Sequence, residues 1–235
     1  MVKLDVYLMG YNEEKIIPYI LDYYEPIARN IFFLDNCSTD ASKDIFEARG
    51  HTVIPTGINE LNDLKNLKVK HECFKGSDAD FVIVSDMDEI AYHPDLLGLL
   101  KKYKDEGVTF PRVRGYTMVS KIGYPNGKIT NVKTGILAKN YAKQIIFNPR
   151  IHINWSVGQH VAHSLNATQS EMEDIAILHY KFMDKDEIHK RKQMYAERLS
   201  FDNKKFNLGI HYETYDYEET EKWFDSHLKE AIRVI

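Results

Sequence analysis

Short apolar runs separated by capped, helix-patterned stretches fill the first hundred residues. Strand-like runs occupy residues 3–9, 30–34, 51–55 and 80–85. Between the first two, residues 13–24 place Ile16, Ile17, Ile20, Leu21 and Tyr24 at helical spacing, with Pro18 early enough to be tolerated. Ser38, Thr39 and Asp40 offer caps for a helix over 41–49 that Gly50 ends. Residues 60–74 set Leu61, Leu64, Leu67 and His71 on one helical face. Residues 94–103 open on proline and continue through Leu96, Leu97, Leu99 and Leu100. Such β-α-β alternation predicts a parallel sheet, whose carboxyl ends bring residues 10–13, 35–40 and 86–89 to one crevice.

Beyond Gly107 the pattern changes to short strand-like runs at 144–147, 151–155 and 175–180, with breaks such as Tyr124-Pro125-Asn126-Gly127. These predict a mixed or antiparallel extension of the sheet. Asp184 and Glu187 resemble a capping box before a helix over 188–199, and 218–232 forms a last amphipathic helix. The expected fold is α/β: a mixed, mostly parallel central sheet flanked by helices, with C-terminal helices. One domain is expected, in segments 1–106, 107–182 and 183–235.

Composition narrows the class. A chain of 235 residues with 43% hydrophobic content suits one large domain. With 31 basic and 35 acidic residues, the net charge of -4 gives no general reason to expect nucleic acid as a partner. Cys37 and Cys73 are too few for a disulfide framework or a cysteine-based zinc site, and no leader-like segment opens the chain, so a cytoplasmic location is expected. The longest apolar stretches are strand-sized, far below the roughly 20 residues that span a bilayer. Peripheral attachment at the inner membrane face stays compatible with this, and oligomeric state is not readable.

The candidate chemistry sits where the fourth strand ends. In Phe81-Val82-Ile83-Val84-Ser85-Asp86-Met87-Asp88-Glu89-Ile90 a buried-strand pattern runs into three carboxylates. Alternation puts Asp86 and Asp88 on the same side and Met87 on the other, so both carboxylates can reach one hard cation and a substrate diphosphate. Acidic residues also end many strands merely as solvated charges. Asp35 either accepts a hydrogen bond from a nucleobase or ribose or stabilises its turn. Gly10 permits close backbone approach and Tyr11 can stack on a base, although helix capping explains that segment equally well.

Taken together, Tyr11-Asn12-Glu13-Glu14, Leu34-Asp35-Asn36-Cys37-Ser38-Thr39-Asp40 and Asp86-Met87-Asp88 resemble, in order and spacing, the family 2 glycosyltransferases of GT-A (Rossmann-like) fold. The family turn usually reads Asp-Asp-Gly-Ser-Thr-Asp, from which Asn36 and Cys37 depart. The resemblance covers the first 120 residues, and softer matches to bacterial members follow at Gly158-Gln159-His160 and Leu178-His179-Tyr180-Lys181. It implies a nucleotide-sugar donor, UDP-linked, Mn2+ or Mg2+ held by the Asp-x-Asp motif, and transfer with inversion to a glycan or lipid-linked acceptor in polysaccharide or glycoconjugate assembly. Segment 1–106 then becomes the donor half and 107–182 the acceptor side. Donor contacts fall on Tyr11, Asn12, Glu13, Asp35, Asp86 and Lys181. Metal ligands fall on Asp86 and Asp88, with His179 as a late third ligand or as a satisfied strand histidine.

The family's Glu-Asp or Gln-x-x-Arg-Trp signature is missing, so no catalytic base carries over by motif. His160 can deprotonate an acceptor hydroxyl near neutral pH, with Asp88 as its catalytic partner at the cation. Lys143, Lys181, Arg191 and Arg198 can gather anionic oxygens, although 190–192 reads by default as a solvated helix face. Trp155 is an acceptor platform or a core residue. One rival is the phosphatase fold whose strand ends in Asp-x-Asp, with Asp86 as nucleophile, but that motif normally opens its domain. Another is a nucleotide- or glycan-binding protein without turnover.

Overall fold

A computed structural model describes residues 1–138, 143–213 and 216–235. Its first half alternates β1 (Leu4–Gly10), α1 (Ile17–Tyr24), β2 (Asn30–Asp35), α2 (Ser42–Ala48), β3 (Thr52–Pro55), α3 (Asp63–Glu72) and β4 (Phe81–Asp86). Then come β5 (Glu89–Tyr92), α4 (Leu96–Asp105), β6 (Val113–Val119), β7 (Thr134–Leu137), β8 (Ile146–Phe147), β9 (Asn154–Trp155), β10 (Ala162–His163) and β11 (Ile175–Phe182). Helices α5 (Lys185–Arg198), α6 (Phe201–Lys205) and α7 (Tyr217–Glu230) and strand β12 (Ile232–Arg233) complete the chain.

The first sheet has the order β3-β2-β1-β4-β8, with β1 to β4 parallel and β8 antiparallel to β4. Both faces of β1 and β4 are buried, as a parallel sheet covered by helices requires. The second half does not simply extend this sheet. Apart from β8, its main strands build a second five-stranded sheet, β12-β7-β6-β11-β5, beside a small β9-β10 ribbon. Strand β5 belongs to that second sheet although it follows β4 after only two residues, so Met87 and Asp88 form the turn where the chain passes from one sheet to the other. A shared core joins the two sheets: Val6, Ile20 and Ile83 pack in one cluster with Met118, Ile177 and Leu178.

Local chemistry explains most element ends. Pro18 sits in the first turn of α1, and Ile17, Ile20, Leu21 and Tyr24 are buried. Gly50 follows α2 at φ +81, the left-handed position a helix end favours. Asp184 caps α5 through Glu187 N–H, while the Glu187 carboxylate pairs with Lys15 instead of reaching back to the cap. The expected apolar face of residues 60–74 does not turn fully inward: Leu64 is 38% exposed, whereas Lys70 is the buried residue of α3. Among the described residues no helix is long and apolar enough to cross a membrane.

Candidate active site

Three loops meet at the carboxyl ends of β1, β2 and β4. Gly10 has no room for a side chain, since a Cβ there would lie 2.9 Å from Glu13 Cγ and 3.2 Å from Met87 Cβ. Asn12 adopts a left-handed backbone at φ 56, and its amide oxygen accepts hydrogen bonds from Thr39 N–H at 2.8 Å and Asp40 N–H at 3.3 Å. It therefore ties the first loop to the second. Cys37 also lies in the left-handed region, at φ 64, so the residue that departs from the glycine of the family turn keeps a glycine-like backbone there. Asp35 is buried and accepts from Ser38 N–H at 2.9 Å, a turn-stabilising bond, and it is Asn36 that lines the cleft.

The cleft itself encloses about 390 Å³. Tyr11, Glu13, Asp86, Asp88, Lys143, His160, His179, Lys181 and Arg198 all line it, so most of the expected site residues converge although they come from both halves of the chain. Met87 is buried in the core, leaving Asp86 and Asp88 on the cleft side. Pairing of β11 with β5 sets His179 opposite Glu89, and Tyr180 N–H donates to the Asp88 carbonyl at 2.7 Å. That register delivers His179 Nε2 to 3.3 Å from the Asp88 carboxylate.

The two aspartates have different surroundings. One Asp86 oxygen receives Lys70 Nζ and the other Lys143 Nζ, each at 2.6 Å. Lys143 also pairs with Glu89 at 2.7 Å, and Lys70 donates to Gln159 Oε1 at 2.7 Å. Asp88 Oδ2 instead faces His179 and, at 3.2 Å, Arg191 Nη1; Arg191 in turn pairs with Glu13. A continuous run of side-chain contacts thus links Glu13, Arg191, Asp88, His179, Glu89, Lys143, Asp86 and Lys70.

Burial pushes the Asp86 carboxyl upward, but Lys143 and Lys70 outweigh it and hold the group far below the usual carboxylate range. Asp88 is held low in the same way, by His179 and then Arg191 against burial. Glu13 moves the other way, pushed up to about 8 by burial, against Arg191 and with help from the Asp88 charge. Burial and the Lys143 charge lower the His160 pKa, which keeps its imidazole neutral at neutral pH.

These shifts fix the expected pH response of the fold. Asp86 and Asp88, with folded values below the ordinary 3.8, contribute stability that is present above that value and lost as pH falls through it. Glu13 erodes stability as pH rises from its ordinary 4.5 toward about 8. Melting temperatures followed from pH 8 to pH 3 should therefore pass through a maximum on the mildly acidic side and fall steeply below about pH 4. A curve flat down to pH 3 would contradict the depressed aspartates.

Among the described residues there is no group of three or more His, Cys, Asp and Glu able to hold a metal ion. The expected trio of Asp86, Asp88 and His179 is therefore not assembled as a ligand set, because lysines occupy both Asp86 oxygens. Asp88 and His179 remain as a pair, a donor set suited to a cation that takes its other ligands from substrate phosphates and water. Trp155 is buried, donates Nε1–H to the Gln144 carbonyl at 3.0 Å and packs on Phe147, so it is a core residue. Arg198 lies over the Tyr11 ring, 3.2 Å from its centroid. Lys70 has no signal in the apolar sequence pattern and Gln159 stands there only within a softer family match; Arg191, a candidate for gathering anionic oxygens in a segment that reads by default as a solvated helix face, is buried.

No protein-family model matches the chain, and no curated protein sequence matches it. Similar solved structures include TarS of S. aureus, residues 1–349, at 15% identity over 84% of this chain and 65% of that one, with a TM-score of 0.48. Glucosyl-3-phosphoglycerate synthase of Mycobacterium tuberculosis, crystallised with Mn2+, UDP and glucosyl-3-phosphoglycerate, is similar at 20% identity over 49% of this chain and 44% of that one, with a TM-score of 0.35. A mycobacterial protein is similar at 21% identity over 49% and 41%, with a TM-score of 0.38. The chain thus spans less than half the length of either mycobacterial structure.

Proposed function

We propose that the cleft binds a nucleoside-diphosphate sugar, UDP-linked, together with Mn2+ or Mg2+, and transfers the sugar to a hydroxyl of a glycan or lipid-linked acceptor. The observation that carries this reading is the Asp88–His179 pair at the end of a parallel strand, in a cleft that Lys143, Lys181 and Arg198 also line. A divalent cation bound there supplies charge neutralisation for a departing diphosphate without proton transfer. Asp88 and His179 would hold it. Lys181 would face the leaving phosphate, and Lys143, fixed between Asp86 and Glu89, would keep the site cationic around it.

Neutral His160 would take the proton of the acceptor hydroxyl as that oxygen attacks the anomeric carbon. The bond between that carbon and the phosphate oxygen breaks in line, and the diphosphate leaves with the electron pair, so a single displacement inverts the centre. Against a phosphatase reading, Asp86 is a poor nucleophile because both of its oxygens are engaged by ammonium groups.

Thermal melts with UDP, with Mn2+ and with both test this directly. Ligand at a hundred times its dissociation constant contributes about 2.7 kcal/mol, which is a shift of roughly 5–10 °C for a chain of this size. The shift is expected only with UDP and metal together. The absence of any nucleotide response would remove the donor site, and binding without sugar transfer would favour a binding protein.

A further inference from the structure

We propose that the α3 end of the cleft reads the edge of the nucleobase through Asp63 and Asn66, selecting a lactam base such as uracil or guanine over cytosine and adenine. This rests on the donor-site reading above and adds to it the residues that read the base. Asp35, the residue that the family resemblance associates with the base, has its carboxylate turned to Ser38 N–H. Asn36 stands at the cleft wall in its place, but its amide is committed: the oxygen accepts from Thr56 Oγ1 at 2.8 Å and the nitrogen donates to Asn66 Oδ1 at 3.2 Å. Because Asn66 spends its oxygen on Asn36, its Nδ2 is the donor left for a ligand.

Asp63 is fixed from behind. Its backbone N–H donates to Asn203 Oδ1 at 2.9 Å, and Asn203 Nδ2 returns a bond to Asp63 Oδ2 at 3.0 Å, with Asn203 fully buried. Oδ1 has no partner among the described residues. Asp63 and Asn66 are three apart on α3, hence neighbours on one helical face, and both line the cleft. At the same end lies a flat platform, the Tyr11 ring under Arg198, which a bond of 3.2 Å to the Asn36 carbonyl holds in place.

A carboxylate oxygen beside an amide N–H matches a base edge that presents N–H beside C=O. Uracil, thymine and guanine have that edge. Cytosine N3 and adenine N1 instead turn a lone pair toward Asp63, leaving two acceptors opposed, and both bases carry an amino group where uracil O4 or guanine O6 would meet the amide.

Titration calorimetry of the full chain with Mn2+ and each of UDP, GDP, CDP and ADP tests the assignment. UDP or GDP should bind about 10- to 100-fold more tightly than CDP and ADP. In Asp63→Asn the new carboxamide can donate to cytosine N3, so the preference for UDP over CDP should fall by about tenfold or more. Asn66→Ala, at a half-buried position, should narrow the same ratio. Tight UDP binding with ratios unchanged in both variants, or no discrimination in the original chain, would overturn the base assignment alone. Failure of every nucleotide to bind would overturn it together with the donor site.

Discussion

Asp88→Asn should abolish the metal-dependent response to UDP and lower sugar transfer by about a thousandfold, since a cation at a departing diphosphate supplies several kcal/mol. The substitution is nearly isosteric, and its amide oxygen can still accept from Arg191 and His179, so the fold should survive it. Asp86→Asn provides the contrast. The Asp86 oxygens are held by Lys70 and Lys143 at 2.6 Å each, so its expected effect is on the placement of Lys143, with the metal response retained. Nucleotide melts with and without Mn2+ separate the two variants. Metal dependence surviving in Asp88→Asn, or vanishing in Asp86→Asn alone, would reverse the roles given to the two residues.

The separation of those roles was not legible in the sequence, and the reason is geometric. Strand alternation places both carboxylates on one side, but it says nothing of which cations approach from elsewhere in the chain. Lys143 lies 57 residues beyond Asp86, and Arg191 lies 103 beyond Asp88. Lys70 was nearer at hand. Asp63, Asn66 and Lys70 form a polar stripe on α3 at spacings of three and four, and that stripe, more than the leucines around it, faces the interior beside the cleft. Apolar periodicity is the wrong signal for a helix whose inner face lines a charged site.

The parallel half of the fold was legible because its strands are apolar runs and β1, β2 and β3 are each followed by a helix-patterned stretch. Strand β5 was not, since its four residues directly follow the acidic turn and pair with β11, 84 to 90 residues away. Missing β5 meant missing the second sheet, and with it the reason why His179 stands beside Asp88. The histidine itself was legible only through resemblance; its register against Glu89 is a tertiary fact.

Arg191→Ala should be the most destabilising single change at the site, costing about 3–5 kcal/mol, the usual penalty for leaving buried charge without its partner. The guanidinium joins Glu13 of the β1–α1 loop to Asp88 of the β4–β5 turn, and all three side chains are at most 10% exposed. Its removal leaves the buried Glu13 and Asp88 carboxyl groups without the guanidinium between them, and at alkaline pH folding must then bury both as anions or hold Glu13 protonated. In a chain of this length the melting temperature should fall by roughly 6–20 °C. Two features separate this from simple loss of packing. Arg191→Met combined with Glu13→Gln should cost less than the sum of the single changes, because the second substitution removes one of the stranded charges. The loss should also be smaller at pH 5 than at pH 8: Glu13, already pushed up to about 8 with Arg191 in place, rises further without it and can refold protonated at the lower pH. A strictly additive cycle, or a loss equal at the two pH values, would mean that Arg191 acts through its hydrocarbon stem and not through the two carboxylates it bridges.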